Sequence, residues 1–233
     1  MASALARGWG EPVLASDSGS GRAQALVDEL GGEALTNAEV VARADLVILA
    51  HKPYQLEAVA AGVDAAGKVV VTILGGVSVE QVGAANPRAT VLRVEPNTPA
   101  AVRRGVLIFA ATENPGAEPV KALFARVGTV VELPEKLIDV AGAVSGVGPA
   151  YWALFAEAWT DSAVRHGIPA ALAATLVAET MAGTAALLTQ TDTLALRRGV
   201  TSPGGSTARG LAALERGGVR AALAEAMDDV VGG

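Results

Sequence analysis

The 233-residue sequence has no cysteine and only two histidines, His51 and His166. Without thiols it forms no disulfide, no Cys-ligated metal centre and no thiol nucleophile, and no metal is expected. The same lack suits a reducing compartment, so a cytoplasmic location is expected. Positive charge is also in deficit: 18 Lys and Arg stand against 24 Asp and Glu, giving a net charge of −6 and a pI near 5.0. Arg103-Arg104 and Arg197-Arg198 are isolated pairs, so no nucleic-acid partner is expected. Long apolar runs are missing too. The longest uncharged stretch, 140–156, holds three glycines and a proline and is short for a bilayer crossing. The N-terminus lacks a basic region followed by an apolar run, so neither a membrane partner nor a signal peptide is expected. Aromatics make up only 3%, and alanine supplies much of the positive mean hydropathy of +0.40, which favours closely packed helices.

What remains is enough for one large or two modest globular domains. In the first half, short β-rich runs at 12–16, 46–50, 69–74, 90–94, 107–111 and 127–133 alternate with helical patterns at 22–30, 39–43, 56–61, 79–85 and 119–124. Leu46-Val47-Ile48-Leu49 and Val69-Val70-Val71 are apolar throughout, as strands buried on both faces are. The alternation predicts a doubly wound α/β fold with a parallel sheet, whose ligands bind beyond the carboxyl ends of the strands. His51-Lys52-Pro53, Gly75-Gly76 and Glu95-Pro96-Asn97 all fall at such ends and mark a dinucleotide crevice. From about Leu137 the pattern turns to long Ala/Leu-rich helices at 149–166, 170–189 and 207–229. Two domains are therefore expected, 1–136 of α/β type and 137–233 all-α.

Residues 200–210, Val-Thr-Ser-Pro-Gly-Gly-Ser-Thr-Ala-Arg-Gly, can build an anion site with a hydroxyl inside it. Pro203 ends what precedes it, Gly204 and Gly205 let a ligand approach the backbone, and Ser206 or Thr207 is placed to cap a helix. Free N–H groups at such a helix start bind carboxylates or phosphates. Taken alone, the run also reads as an ordinary loop with a capped helix behind it.

The run resembles the substrate-binding segment of pyrroline-5-carboxylate reductases, Val-(Thr/Ser)-Ser-Pro-Gly-Gly-x-Thr. Three further blocks match that family in order: Ala50-His51-Lys52-Pro53, Arg93-Val94-Glu95-Pro96-Asn97-Thr98-Pro99 and Ser145-Gly146-Val147-Gly148-Pro149-Ala150-Tyr151. The resemblance covers nearly the whole chain. It implies a Rossmann-like NAD(P)-binding domain followed by an all-α domain that dimerises and binds substrate, in a homodimer or a higher oligomer of dimers. The implied activity is NAD(P)H-dependent reduction of a small cyclic imino acid, 1-pyrroline-5-carboxylate, to L-proline, the last step of proline biosynthesis.

A dinucleotide-binding domain opens with a strand and a Gly-x-Gly-x-x-Gly/Ala turn, and no such opening is present. Residues 1–8 resemble the part of the family's first helix that follows its Gly-x-Gly-Asn, so the first strand and phosphate turn are expected to be lacking. Either the recorded start is an internal methionine, or the chain is a cofactor-deficient homologue acting only as a dimerisation partner. The intact downstream blocks favour the first.

Residue by residue, the resemblance assigns the carboxylate of the imine to the backbone amides of Gly205, Ser206 and Thr207. It assigns the ring nitrogen to the Thr207 hydroxyl, which makes Thr207 the catalytic residue; Gly204 permits close approach and Ser202 shapes the loop. Hydride transfer to a protonated imine needs orientation and desolvation more than a strong acid or base. Ala50, Lys52, Pro53 and Asn97 are expected to line the coenzyme cleft. Asp17 would suit the ribose hydroxyls of NADH, while Ser18, Ser20 and Arg22 would receive the 2′-phosphate of NADPH. NADPH is the expected coenzyme, with NADH the alternative. His51 and Glu95 stand where the family usually has Val and Met, so no family contact is carried over to either.

Overall fold

The computed structural model describes residues 1–232. Contacts divide the chain into two compact units, Met1–Pro149 and the helical remainder from Ala150. The first unit runs α1 (Ala2–Trp9), β1 (Val13–Ala15), α2 (Arg22–Leu30), β2 (Gly32–Ala34), α3 (Asn37–Arg43), β3 (Leu46–Leu49), α4 (Leu56–Ala61), β4 (Val69–Thr72), α5 (Val79–Ala85), β5 (Thr90–Pro96), β6 (Gly105–Ala110), α6 (Ala117–Ala125), β7 (Gly128–Leu133) and α7 (Ile138–Ser145). Local chemistry fixes several of these starts. Thr36 and Glu39 form a reciprocal capping box at α3, and Ser78 and Gln81 form another at α5.

Five strands pair in the order β3-β4-β5-β6-β7, while β1 and β2 form a separate parallel pair. Among the described residues, β1 and β3 each have a strand on one side only, so the doubly wound sheet is interrupted between them. The parallel expectation needs one correction, because β5 and β6 are antiparallel, with Val94 opposite Phe109. The reason is the connection. Asn97–Arg104 holds only a 3-10 turn over Thr98–Val102, too short for the crossover that parallel neighbours require. The β2 strand, with Gly32 at φ 108°, was not foreseen because all three of its residues are exposed and carry no apolar pattern.

The main core lies between the sheet, α1 and α6. Leu5, Val71, Leu92, Val94, Leu107, Phe109, Phe124 and Val127 are buried in one cluster. Phe124 anchors it, meeting Trp9 and Phe109 edge-on at centroid distances of 5.3 and 5.4 Å. Gly8 is required where α1 crosses the Thr98–Val102 turn, since a Cβ there would collide with the Ala100 carbonyl oxygen. α7, absent from the expected elements, packs Ile138 beside Ile108 and Ala110 of β6. By its contacts the first unit runs on to Pro149, with α7 included.

The helical unit contains α8 (Gly148–Arg165), α9 (Ala170–Leu188), α10 (Thr193–Gly199), α11 (Ser206–Arg216) and α12 (Val219–Gly232). The single helix expected over 207–229 is broken at Gly217-Gly218, where Gly218 takes φ 77°. α10 starts on Asp192, whose carboxylate accepts the Leu194 and Ala195 amides at 2.9 and 2.8 Å. Among the described residues of this unit only Ala173 and Val177 are buried, whereas Trp152, Leu154 and Trp159 are 62, 64 and 56% exposed. Glu135–Arg165 and Ala170–Leu188 are also long and apolar enough to cross a membrane, by length and composition.

Phe124→Ala removes the ring that joins α1, α6 and β6, and the cavity left costs about 3–5 kcal/mol. The midpoint of denaturant unfolding should fall accordingly. A loss below about 1 kcal/mol would show that the cluster collapses around the gap.

Candidate active site

At the carboxyl end of β3, Ala50 is exposed and the chain turns at once. The Lys52 amide donates to Gln55 Oε1 at 3.0 Å, and Pro53 opens a 3-10 turn over Pro53–Gln55, leaving the Lys52 side chain in solvent. His51 Nδ1 lies 2.9 Å from the Lys52 carbonyl oxygen. Its Nε2 is shielded from solvent without a partner. Beyond β4, no atom lies within 4 Å of where a Cβ would stand at Gly75 or Gly76, which leaves their backbone open to a ligand.

Asn97, just after β5, is buried, with its carboxamide engaged at both ends: Nδ2 donates to the Ser145 carbonyl at 3.0 Å and Oδ1 accepts the Val106 amide at 2.8 Å. The side chain is a tether first, with only its remaining N–H and lone pair left for a ligand. Arg93, Glu95 and Asn97 share one face of β5, and all three meet α7 or the turn before it. The buried Arg93 holds Asp139 at 2.6 Å and Glu135 at 3.5 Å, while Glu95 lies against Gly142, where a Cβ would stand 3.3 Å from its Cγ. Burial of Glu95 where the family has an apolar side chain pushes its carboxyl above the usual range; Asp139 adds to the effect and Arg93 opposes it. This face was missed in the sequence because the helix opposite it was missed.

Ser18 is exposed on the loop between β1 and α2, and Arg22 is exposed at the first position of α2. Asp17, which would suit the ribose hydroxyls of NADH, is engaged by its own loop. Oδ1 accepts the Gly19 and Ser20 amides at 2.6 and 3.0 Å, and Oδ2 accepts the Ala23 amide at 2.7 Å and the Ser20 hydroxyl at 3.2 Å. Asp17 closes its own loop.

In the helical unit, Ser202, Pro203, Gly204 and Gly205 form a hydrogen-bonded turn, with the Gly205 amide donating to the Ser202 carbonyl at 3.1 Å and Gly204 at φ 71°. Pro and a positive-φ Gly in the middle are the requirements of a type II turn. A Cβ on Gly205 would stand 2.5 Å from Ser202 Oγ, so that position calls for glycine. Two expectations change here. The Gly205 amide is already engaged, so the donors left for an anion are Ser206, Thr207 and Ala208, at the start of α11. Neither Ser206 nor Thr207 caps that helix; Gly205 is the N-cap, no side chain bonds to the first turn, and the Thr207 hydroxyl is exposed. Arg209 Nη1 adds positive charge beside the turn, donating to the Gly204 carbonyl at 2.9 Å.

Open loops at the carboxyl ends of strands in an α/β unit are where doubly wound folds take nucleotides, and a helical unit with a free helix start follows in the chain. The family model for pyrroline-5-carboxylate reductase dimerisation matches residues 135–232, and that for NADP oxidoreductase, coenzyme F420-dependent, matches residues 1–76. A pyrroline-5-carboxylate reductase of Synechocystis is 40% identical over 200 residues, 82% of this chain and 74% of the relative. The Plasmodium falciparum pyrroline carboxylate reductase crystallised with NADP is similar in structure, with TM-score 0.85, 26% identity and coverage of 98% and 90%. The Streptococcus pyogenes 1-pyrroline-5-carboxylate reductase gives TM-score 0.86 at 26% identity, with coverage of 99% and 93%. The chain belongs to the pyrroline-5-carboxylate reductase family.

The raised carboxyl of Glu95 has a pH signature. Its favourable contribution is full below the ordinary value of 4.5 and is lost as pH rises through the raised folded value. Glu95→Gln should therefore raise the melting temperature, with a gain that grows from mildly acid to neutral pH. A gain that shrinks with pH would mean that the native carboxyl is already ionised in acid.

Proposed function

We propose that this chain reduces 1-pyrroline-5-carboxylate to L-proline with NADPH, as a cytoplasmic homodimer or oligomer of dimers. The observation that carries this reading is the uncapped start of α11: the Ser206, Thr207 and Ala208 amides lack a helical partner, and the Thr207 hydroxyl stands free beside them. A planar carboxylate suits two adjacent amides at the positive end of a helix, and a ring nitrogen suits a hydroxyl one residue on. The coenzyme's chemistry is hydride donation to the imine carbon. The protein's task is then to hold the ring by its carboxylate, fix the nitrogen with Thr207 and exclude water. Lys52, Pro53 and the open Gly75-Gly76 backbone would hold the coenzyme along the strand ends, and Ser18 and Arg22 its 2′-phosphate. The helical unit, with almost nothing buried of its own, is read as the surface that a second subunit covers.

A second reading, a dimerisation partner without coenzyme, is favoured by the break between β1 and β3, since pyrophosphate sites lie in that part of a doubly wound sheet. Fluorescence titration with NADPH separates the two. Saturable binding supports the reductase, and none supports the partner.

Thr207→Ala should lower kcat/KM by roughly tenfold to a hundredfold, the worth of one hydrogen bond to a charged group, and Ser206→Ala by much less. Equal, small losses would remove the hydroxyl from the reaction. Arg22→Ala should weaken NADPH more than NADH, because only NADPH carries a phosphate for the guanidinium to grip. An equal effect on both coenzymes would take Arg22 out of the phosphate site.

A further inference from the structure

We propose that Asp17 is a positioning residue of the coenzyme site, holding the loop before α2 in the shape that presents Ser18 and Arg22 to the 2′-phosphate. The inference rests on the reading above that Ser18 and Arg22 receive that phosphate. An acidic residue at this place in a dinucleotide fold ordinarily takes the ribose hydroxyls and turns the site against NADPH. Here that role is blocked by saturation. A carboxylate offers about four acceptor positions, and Gly19, Ser20 twice and Ala23 supply four donors. No acceptor is left for a ribose.

The same bonds do the work of a helix cap. Gly21, at the N-cap of α2, has no side chain to offer, and the Ala23 amide in the first turn is satisfied by Asp17 instead. Gly19 and Gly21 take φ 88° and 76°, so the loop reverses sharply around the carboxylate and has little stiffness of its own. Ser18 and Arg22, flanking those reversals, form no ion pair or side-chain hydrogen bond among the described residues and stay exposed to an incoming ligand. The Ala23 amide is foremost in holding the Asp17 carboxyl below the usual range, with Gly19 and Ser20 adding to it, so the bonds persist at neutral pH.

Organiser and selector predict opposite signs. If Asp17 selected against NADPH, removing its charge would tighten NADPH. If it organises the loop, removal weakens it. The test compares Asp17→Ala, Asp17→Asn and Arg22→Ala with the unsubstituted 233-residue protein. NADPH and NADH are titrated by coenzyme fluorescence, and exchange of the Gly19, Ser20 and Ala23 amides is followed by NMR. The expected result is NADPH binding weakened about tenfold by Asp17→Ala, NADH changed by less than about twofold, and loss of protection at the three amides. Asp17→Asn, which keeps one acceptor oxygen and the side-chain shape, should fall between and covers the case of a poorly folded alanine variant. Unchanged or tighter NADPH in both Asp17 variants would overturn the proposal, as would a larger loss for NADH. If Arg22→Ala leaves NADPH untouched, or the unsubstituted protein binds none, the underlying phosphate reading fails, and the proposal with it. Loss of NADPH in Arg22→Ala but not in the Asp17 variants refutes the organiser alone.

Discussion

The Asn97 carboxamide ties together the three pieces of backbone that frame the crevice. Through Val106 it fixes the start of β6 and therefore the antiparallel reversal; through Ser145 it fixes the last turn of α7. Both bonds are at least partly shielded from water, where leaving either partner unmade costs about 1–3 kcal/mol. Pro96 before it and Pro99 after it limit the alternatives of the intervening backbone. The Arg93–Asp139 pair and the packing of Glu95 on Gly142 extend the same joint along α7. Chain geometry at the end of β5 thus follows from a ladder of side chains at alternate positions on one strand face.

The helical unit obeys a different constraint. Its helices are rich in alanine and leucine, yet they bury almost nothing among themselves, and large aromatics on α8 stay exposed. Helices this apolar are stable in water only when another surface covers them. A dimerisation match over 135–232 lies on this segment, and it makes subunit contact a better account of the apolar faces than a bilayer, despite the length of two of the helices.

Much of this was legible in the sequence. The apolar runs 46–49 and 69–72 gave their strands because burial on both faces leaves a composition that few other elements share. Ser202-Pro203-Gly204-Gly205 gave its turn because Pro and Gly restrict or release φ at fixed places. What escaped was set by partners distant in sequence. α7 is short and interrupted by glycine, and Glu95 and Asp139 show why it sits where it does only once β5 is beside it. Asp17 suits a ribose by analogy with other dinucleotide folds, but its own loop has the first claim on it, and no spacing rule reports that competition. The break at Gly217-Gly218 interrupts an apolar pattern that otherwise runs on from α11 into α12.

The start of α11 is where local stability and site chemistry part company. α3, α5 and α10 are each capped by a side chain, from Thr36, Ser78 and Asp192. α11 has two hydroxyls within reach of the same duty, and a shift of the turn by one residue would bring Ser206 to the N-cap. Such a cap is typically worth about 1 kcal/mol. The Pro203-Gly204 turn, clamped by Ser202 against Gly205, prevents that shift and leaves glycine at the cap, with both hydroxyls beyond it. A helix that existed only to pack would gain from the change. A helix start that receives a carboxylate would lose donors to its own side chain under such a cap, and the turn keeps the first amides of α11 free of one.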